Sequence, residues 1–310
     1  MPPPGLDRRR VLAVAGAVVG SALIGTGSVG ARQAGTPVAR PSGRGDVLIT
    51  VPELAAAQAG PVPPVVVALT DPEGFAAGHI PRARLIDWPE LELGATTPAA
   101  IATWSRTTRL TLAGLGVTPS SDVVIYDGGS LFAARLWWIL DYLGHERKRV
   151  LDGGLPAWIM AGQSVDTRIV PDRAGTSSIP PYPDTAVGAD RLATKDEILA
   201  TLGDPGVVLI DARGSEEYAA GHIPGAVRVP YPANARPDDP KTFLGRDELV
   251  TLYATVGATP DRRVIPYCST GVRSAVTYQA LRLAGFTHIG LYTGSWDEWS
   301  ADPSAPVETR

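Results

Sequence analysis

The sequence predicts an α/β protein of two tandem domains, each a doubly wound parallel sheet flanked by helices. Three observations carry this. Apolar, β-branched runs without alternation recur between helix-like segments, which is how strands buried on both faces read. Two blocks of sequence match each other at nearly one offset. The chain has 310 residues, 44% hydrophobic and 19% charged, enough for two cores.

The elements are clearest in the second copy. Thr194 to Leu202 reads as a short helix with Thr194 as its N-cap. Val207-Val208-Leu209-Ile210 is a buried strand, Glu216 to Ala220 a helical turn, and Ala226 to Val229 a strand. A helix from Asp247 to Val256 precedes the strand Arg263-Val264-Ile265-Pro266-Tyr267. A helix from Ser274 to Ala284 and a strand from His288 to Tyr292 complete the unit. Strands separated by helices imply a parallel sheet.

The first copy answers it. Gly78-His79-Ile80-Pro81-Arg82-Ala83 recurs as Gly221-His222-Ile223-Pro224-Gly225-Ala226, 143 residues on. Val123-Val124-Ile125-Tyr126 answers Arg263 to Tyr267, and Gly153 through Trp158 answers Gly294 through Trp299, both at an offset of 141. Residues 166–190, rich in Pro and Ser/Thr and without apolar periodicity, are expected to link the two.

The N-terminus reads as an export segment. Arg8-Arg9-Arg10 precede an apolar run from Val11 to Ala31 that ends Val29-Gly30-Ala31. The paired arginines resemble a twin-arginine (Tat) signal, which implies an exported protein. An uncleaved membrane anchor over 11–31 is the alternative.

Composition narrows the chemistry. A formal net charge of −4 argues against nucleic-acid binding. The single cysteine, Cys268, allows neither an intrachain disulfide nor a cysteine-based zinc site. His79, His145, His222 and His288 are too scattered for a ligand pair, so no metal and no cofactor are expected.

Cys268 stands at the junction of the strand ending at Tyr267 and the following helix, within Cys268-Ser269-Thr270-Gly271-Val272-Arg273. Ligands of open α/β sheets sit outside the carboxyl ends of the strands. Free backbone N–H groups and the positive helix end at such a junction stabilise a thiolate. Gly271 lets the loop curl, and Arg273 adds a cation. Arg273 follows Cys268 by five residues. Cysteine phosphatases place their arginine six after the cysteine, so this smaller cradle suits a sulfur atom better than a fully bound phosphate.

Over roughly residues 46 to 300 the chain resembles the two-domain (tandem) rhodaneses, sulfurtransferases of the thiosulfate and 3-mercaptopyruvate type. The resemblance rests on Asp211-Ala212-Arg213, Glu217-Tyr218, Gly221 through Ala226, the Cys268–Ser274 loop and Gly294-Ser295-Trp296. With the export signal and the linker read above, the chain is expected to divide into a signal (1–31), a flexible segment (32–45), a catalytically silent domain (46–165), the linker (166–190), a catalytic domain (191–302) and a tail (303–310). Asp127 stands where Cys268 would be in the first copy, consistent with its silence.

The resemblance implies Cys268 as the nucleophile that carries a persulfide. Ser269, Thr270, Gly271, Val272 and Arg273 would hold the sulfur, and Arg213 would bind the donor's anionic head. Asp211 is expected to orient loops. His222, recurring as His79, is expected to be structural. The donor and acceptor are small molecules, thiosulfate with cyanide or a thiol carrier, acting on a monomer without nucleic acid or lasting membrane contact. A 3-mercaptopyruvate enzyme is the alternative. However, the histidine that family's pocket uses has no counterpart between Trp88 and Ser105, nor its second arginine between Gly214 and Gly221. A non-catalytic sulfur carrier or redox-sensing module is the alternative of another class.

Overall fold

The computed structural model describes residues 44–168, 182 and 188–309. The export segment, nearly all of the expected flexible segment and most of the linker lie outside the described residues.

In the first half the chain runs α1 (Arg44–Val47), β1 (Leu48–Ile49), α2 (Val51–Ala59), β2 (Val65–Leu69), α3 (Pro72–Ala77) and β3 (Arg84–Ile86). It continues through α4 (Pro98–Gly114), β4 (Val123–Tyr126), α5 (Ala133–Tyr142), β5 (Lys148–Leu151) and α6 (Gly154–Met160). The five strands form one parallel sheet in the order β1-β5-β4-β2-β3.

The second half repeats the sequence of elements. It comprises β6 (Leu192–Ala193), α7 (Lys195–Thr201), β7 (Val207–Asp211), α8 (Ser215–Ala220), β8 (Val227–Arg228) and α9 (Arg246–Ala254). β9 (Arg263–Tyr267), α10 (Val272–Ala284), β10 (Leu291–Tyr292) and α11 (Ser295–Ser300) follow. β8-β7-β9 and β10-β6 are parallel sets joined at one Val264–Ile289 bridge. The resulting order, β6-β10-β9-β7-β8, is that of the first half. The sequence repeat is therefore a topological repeat.

Smaller marks of duplication sit at matching places. The Tyr126 hydroxyl accepts from the Ile80 N–H, and the Tyr267 hydroxyl from the Ile223 N–H, both at 3.1 Å. The His79 ring stacks on Phe75, and its Nδ1 lies 2.9 Å from the Phe75 carbonyl. His222 does the same on Tyr218. Both histidines are buried, which fits their expected structural role.

The structure corrects several expected boundaries. The strand expected over 288–292 is regular only at Leu291–Tyr292, because His288 and Gly290 pair with Val264 alone. The strand expected over 226–229 shortens to Val227–Arg228. The helix after Cys268 begins at Val272 rather than Ser274, since Gly271 in a left-handed conformation (φ 88°) caps it. Asp166, assigned to the linker, exchanges two backbone hydrogen bonds with His79. Glu308, assigned to a tail, exchanges two with His222.

Core packing joins the halves. Every residue of α5 and all but Arg273 of α10 are buried, and the two helices pack on each other. Trp137, Leu140, Tyr278 and Leu281 belong to one apolar cluster shared by both sheets, while Phe75 and Trp158 on one outer face and Tyr267 and Trp299 on the other anchor separate ones. Each large apolar side chain so buried stabilises the fold by about 1.5–3 kcal/mol. Within this seam Tyr278 donates to Asp141 at 2.9 Å, and Asp141 also meets Lys148 at 2.8 Å and Arg191 at 3.5 Å.

Candidate active site

β9 ends at Tyr267, and the chain turns at once into the Cys268 loop. Cys268 is 1% exposed. Two helix starts hold it. At the head of α10, the Gly271 N–H donates to the Cys268 Sγ at 3.1 Å, with the Ser274 hydroxyl at 3.6 Å. At the head of α11, the Trp296 and Asp297 amides donate to the carbonyls of Cys268 and Ser269 at 3.0 and 3.1 Å. The Ser295 hydroxyl accepts from the Cys268 N–H at 3.1 Å and donates to the Tyr292 carbonyl. Orphan N–H groups at helix starts are thus spent on fixing the loop and on the sulfur itself.

Gly271 is required by space as well as by φ. A Cβ there would lie 2.7 Å from the Thr293 carbonyl and 3.0 Å from an Arg135 nitrogen. Ser269, Thr270 and Arg273 are half-buried along the mouth, whereas Gly271 and Val272 are buried beside the sulfur. The structure therefore brings all five loop residues around Cys268.

Arg273 does not stand as a free cation. Its guanidinium donates to both Glu217 carboxylate oxygens at 2.7 Å, and to the Ser269 hydroxyl at 2.6 Å. The Arg273 fork holds the Glu217 carboxyl down at about 2, and Glu217 raises Arg273 in turn.

Arg213, the expected donor anchor, is engaged within the protein. Its Nε and one terminal nitrogen grip Asp211 at 2.6–3.0 Å, and that nitrogen also donates to the Gly221 carbonyl at 2.7 Å. The guanidinium packs 4.6 Å from the Trp296 ring centre, and the residue is 2% exposed. A buried guanidinium matched to a fixed carboxylate braces the β7–α8 turn. Asp211, expected to orient loops, does so through this pair.

These observations define a buried thiol at a strand–loop–helix junction, repeated in form but not in chemistry by the first half. A rhodanese-like domain model matches residues 50–161 and again 194–302. The chain belongs to the rhodanese family. It is similar to a thiosulfate sulfurtransferase of Pseudomonas aeruginosa, 33% identical over 84% of this chain and 97% of the relative. It is also similar to the putative thiosulfate sulfurtransferase SseB of Mycobacterium tuberculosis (37% identical; 85% and 97% covered) and to a probable 3-mercaptopyruvate sulfurtransferase of P. aeruginosa (34% identical; 78% and 89% covered). Among solved structures it shares the fold of YnjE, at a TM-score of 0.72 and 24% identity, over 86% of this chain and 69% of that one.

The rhodanese is thus a sulfurtransferase whose first half repeats the loop without the thiol. Asp127 occupies the cysteine position, and its carboxylate accepts from the Gly129 and Ala133 N–H groups, both at 2.7 Å. Burial pushes the Asp127 carboxyl upward, against the pull of these amides. Leu155 N–H donates to the Asp127 carbonyl as Trp296 N–H does to that of Cys268. The loop scaffold survives, with an acceptor-only side chain in place of a nucleophile.

Two functional neighbours escape sequence reasoning. Glu217 stands within the quoted Glu217-Tyr218 pair, but nothing in the spacing ties it to Arg273, 56 residues on. Arg135 of α5 crosses from the silent half. It donates to the Thr293 hydroxyl at 2.8 Å and the Leu91 carbonyl at 2.8 Å, and it lies 3.5 Å from the Gly271 carbonyl. The unbroken apolar context of α5, Ala133-Ala134-Arg135-Leu136-Trp137-Trp138, is the signal that could have singled it out.

Proposed function

We propose that this rhodanese moves the outer sulfur of thiosulfate to cyanide or to a thiol. The observation that carries the reading is the Cys268 Sγ set under the Gly271 N–H at the head of α10. The similarity to the thiosulfate sulfurtransferase of P. aeruginosa and the putative one of M. tuberculosis supports the donor. In the first half-reaction the Cys268 thiolate attacks the outer sulfur of thiosulfate. A Cys–S bond forms, the donor S–S bond breaks, and sulfite leaves with the bonding pair. In the second, cyanide attacks the outer sulfur of the persulfide, thiocyanate departs and the thiolate is regenerated. Two half-reactions through one covalent intermediate give ping-pong kinetics. The loop amide stabilises the anionic sulfur without reorganisation.

3-Mercaptopyruvate is the second reading, favoured by the third relative. Steady-state kinetics with the two donors side by side decide between them. Treatment with thiosulfate is expected to add about one sulfur mass to Cys268, with more than one equivalent of sulfite and thiocyanate per chain when cyanide is present. Cys268→Ala is expected to abolish both. An unmodified, folded wild-type chain rejects the reading, and one equivalent without turnover marks a carrier instead.

We also infer that residues 1–31 export the chain through a twin-arginine-type route and that the mature enzyme is monomeric. The Arg8-Arg9-Arg10 run before Val11 supports the export. The N-terminal sequence of the chain recovered from the cell envelope tests the cleavage, and its sedimentation tests the monomer.

A further inference from the structure

Arg135 is 1% exposed, yet no carboxylate among the described residues lies within ion-pair distance of it. Its partners are two carbonyls and a hydroxyl, its guanidinium lies 4.8 Å from the Trp138 ring centre, and its Nε has no partner. Buried cations are ordinarily matched by a negative group, because leaving one uncompensated in a low dielectric is strongly unfavourable. The partner's identity follows from what surrounds the guanidinium. It is fixed against Thr293 and Gly271, and Gly271 is the residue whose amide touches the Cys268 sulfur.

The other charged groups around the site are already committed or distant. Arg273 on α10 is matched by Glu217 of α8, with the Cys268 sulfur as a further, weaker influence on it. Glu298 on α11 is held by Thr96, accepting from its amide and hydroxyl. Glu92 acts on Arg135 from an exposed position, where water screens it. Asp297 of α11 contributes its backbone amide to Ser269. Arg213 is closed on Asp211.

We propose that Arg135, a residue of the silent domain, is a counter-charge for the Cys268 persulfide and the sulfur's negative form, and positions the Gly271–Thr293 wall around them. Arg135 is a positioning residue: it acts on the sulfur through Gly271 and through its field. Burial pulls Arg135 down to about 10, with the negative charges of Cys268 and Glu92 pushing back, so it remains a cation at neutral pH. The silent half then has a chemical reason to stay attached. It supplies the site's charge balance, with the α5–α10 seam as the carrier. The proposal rests on reading Cys268 as the sulfur carrier, but not on the identity of the donor.

The test is alkylation of Cys268 by iodoacetamide across pH in folded Arg135→Gln and Arg135→Lys variants. It needs no sulfur donor, so a wrong donor assignment leaves its outcome readable. At pH 7 R135Q is expected to react about tenfold more slowly, because the buried sulfur loses the cation that favours its negative, nucleophilic form. R135K keeps the charge without the fork and is expected within about threefold of wild type. Wild-type reactivity in R135Q overturns the proposal, and so does an R135K as slow as R135Q, which would mean that the fork's hydrogen bonds alone matter. If R135Q fails to fold, R135K decides by itself: near-wild-type reactivity supports the role and a tenfold loss overturns it. An E92Q control is expected to react at the wild-type rate, and a slowing equal to that of R135Q assigns the balance to Glu92 and overturns the proposal.

Discussion

Arg273 and Glu217 close on each other through two hydrogen bonds of 2.7 Å at the rim of the sulfur-bearing loop. The helix-start cation is therefore compensated at the entrance. A dianionic donor is expected to meet a rim whose cation is already offset. Glu217→Gln should expose the Arg273 charge. Initial rates with thiosulfate should then rise at low salt and fall more steeply with ionic strength than those of the wild type. A salt dependence identical to wild type would show that the pair does not govern the approach.

Arg213→Met tests whether Arg213 braces Asp211 or holds the donor. Breaking a buried pair leaves Asp211 uncompensated, at a cost of about 3–5 kcal/mol. The melting temperature should drop sharply, while the folded fraction keeps a donor KM within about twofold of wild type. A large rise in KM with unchanged stability would return Arg213 to the binding site.

Gly271→Ala places a methyl group 2.7 Å from the Thr293 carbonyl at a φ of 88°. The backbone must shift, and with it the amide under the sulfur. A loss of about 10²-fold in kcat/KM is expected, as when a transition-state donor is removed. The strain should cost about 1–3 kcal/mol of stability. Thiocyanate release and chemical denaturation measure the two.

Asp141 joins the halves by accepting from Tyr278 while facing Lys148 and Arg191. Burial works to raise its carboxyl, but Lys148, Arg191 and Arg282 bring it down to about 2. A folded value below the unfolded one, about 3.9, means that the ionised form stabilises the fold above about pH 4. That contribution disappears as pH falls toward 2. Asp141→Asn should therefore cost about 3–5 kcal/mol near neutrality. The gap between its denaturation midpoint and that of the wild type should be flat from pH 5 to 8 and narrow below pH 4.

Much of the architecture was readable from local pattern. Val207 to Ile210 and Val123 to Tyr126 announce buried strands by composition alone, and the Gly-His-Ile-Pro repeats place both halves in register. Thr194 caps its helix as its residue type suggests, accepting from Glu197 at 3.1 Å. Cys268 was legible because a strand end and a glycine frame it. The partnerships were not. Whether Arg213 turns inward to Asp211 or outward to a ligand is a rotamer choice that spacing does not encode. The Arg273–Glu217 and Arg135–Thr293 contacts span 56 and 158 residues, so they exist only once the two sheets are assembled.

A cysteine buried to 1% residue exposure favours narrow reagents over broad ones. Cyanide, sulfite or the outstretched end of a slender thiol can thread to it, whereas the face of a folded protein cannot. Any macromolecular recipient must present its nucleophile on a pliant arm. The same seclusion shelters the sulfur between turnovers, because oxidation beyond the sulfenic stage follows access to the thiolate.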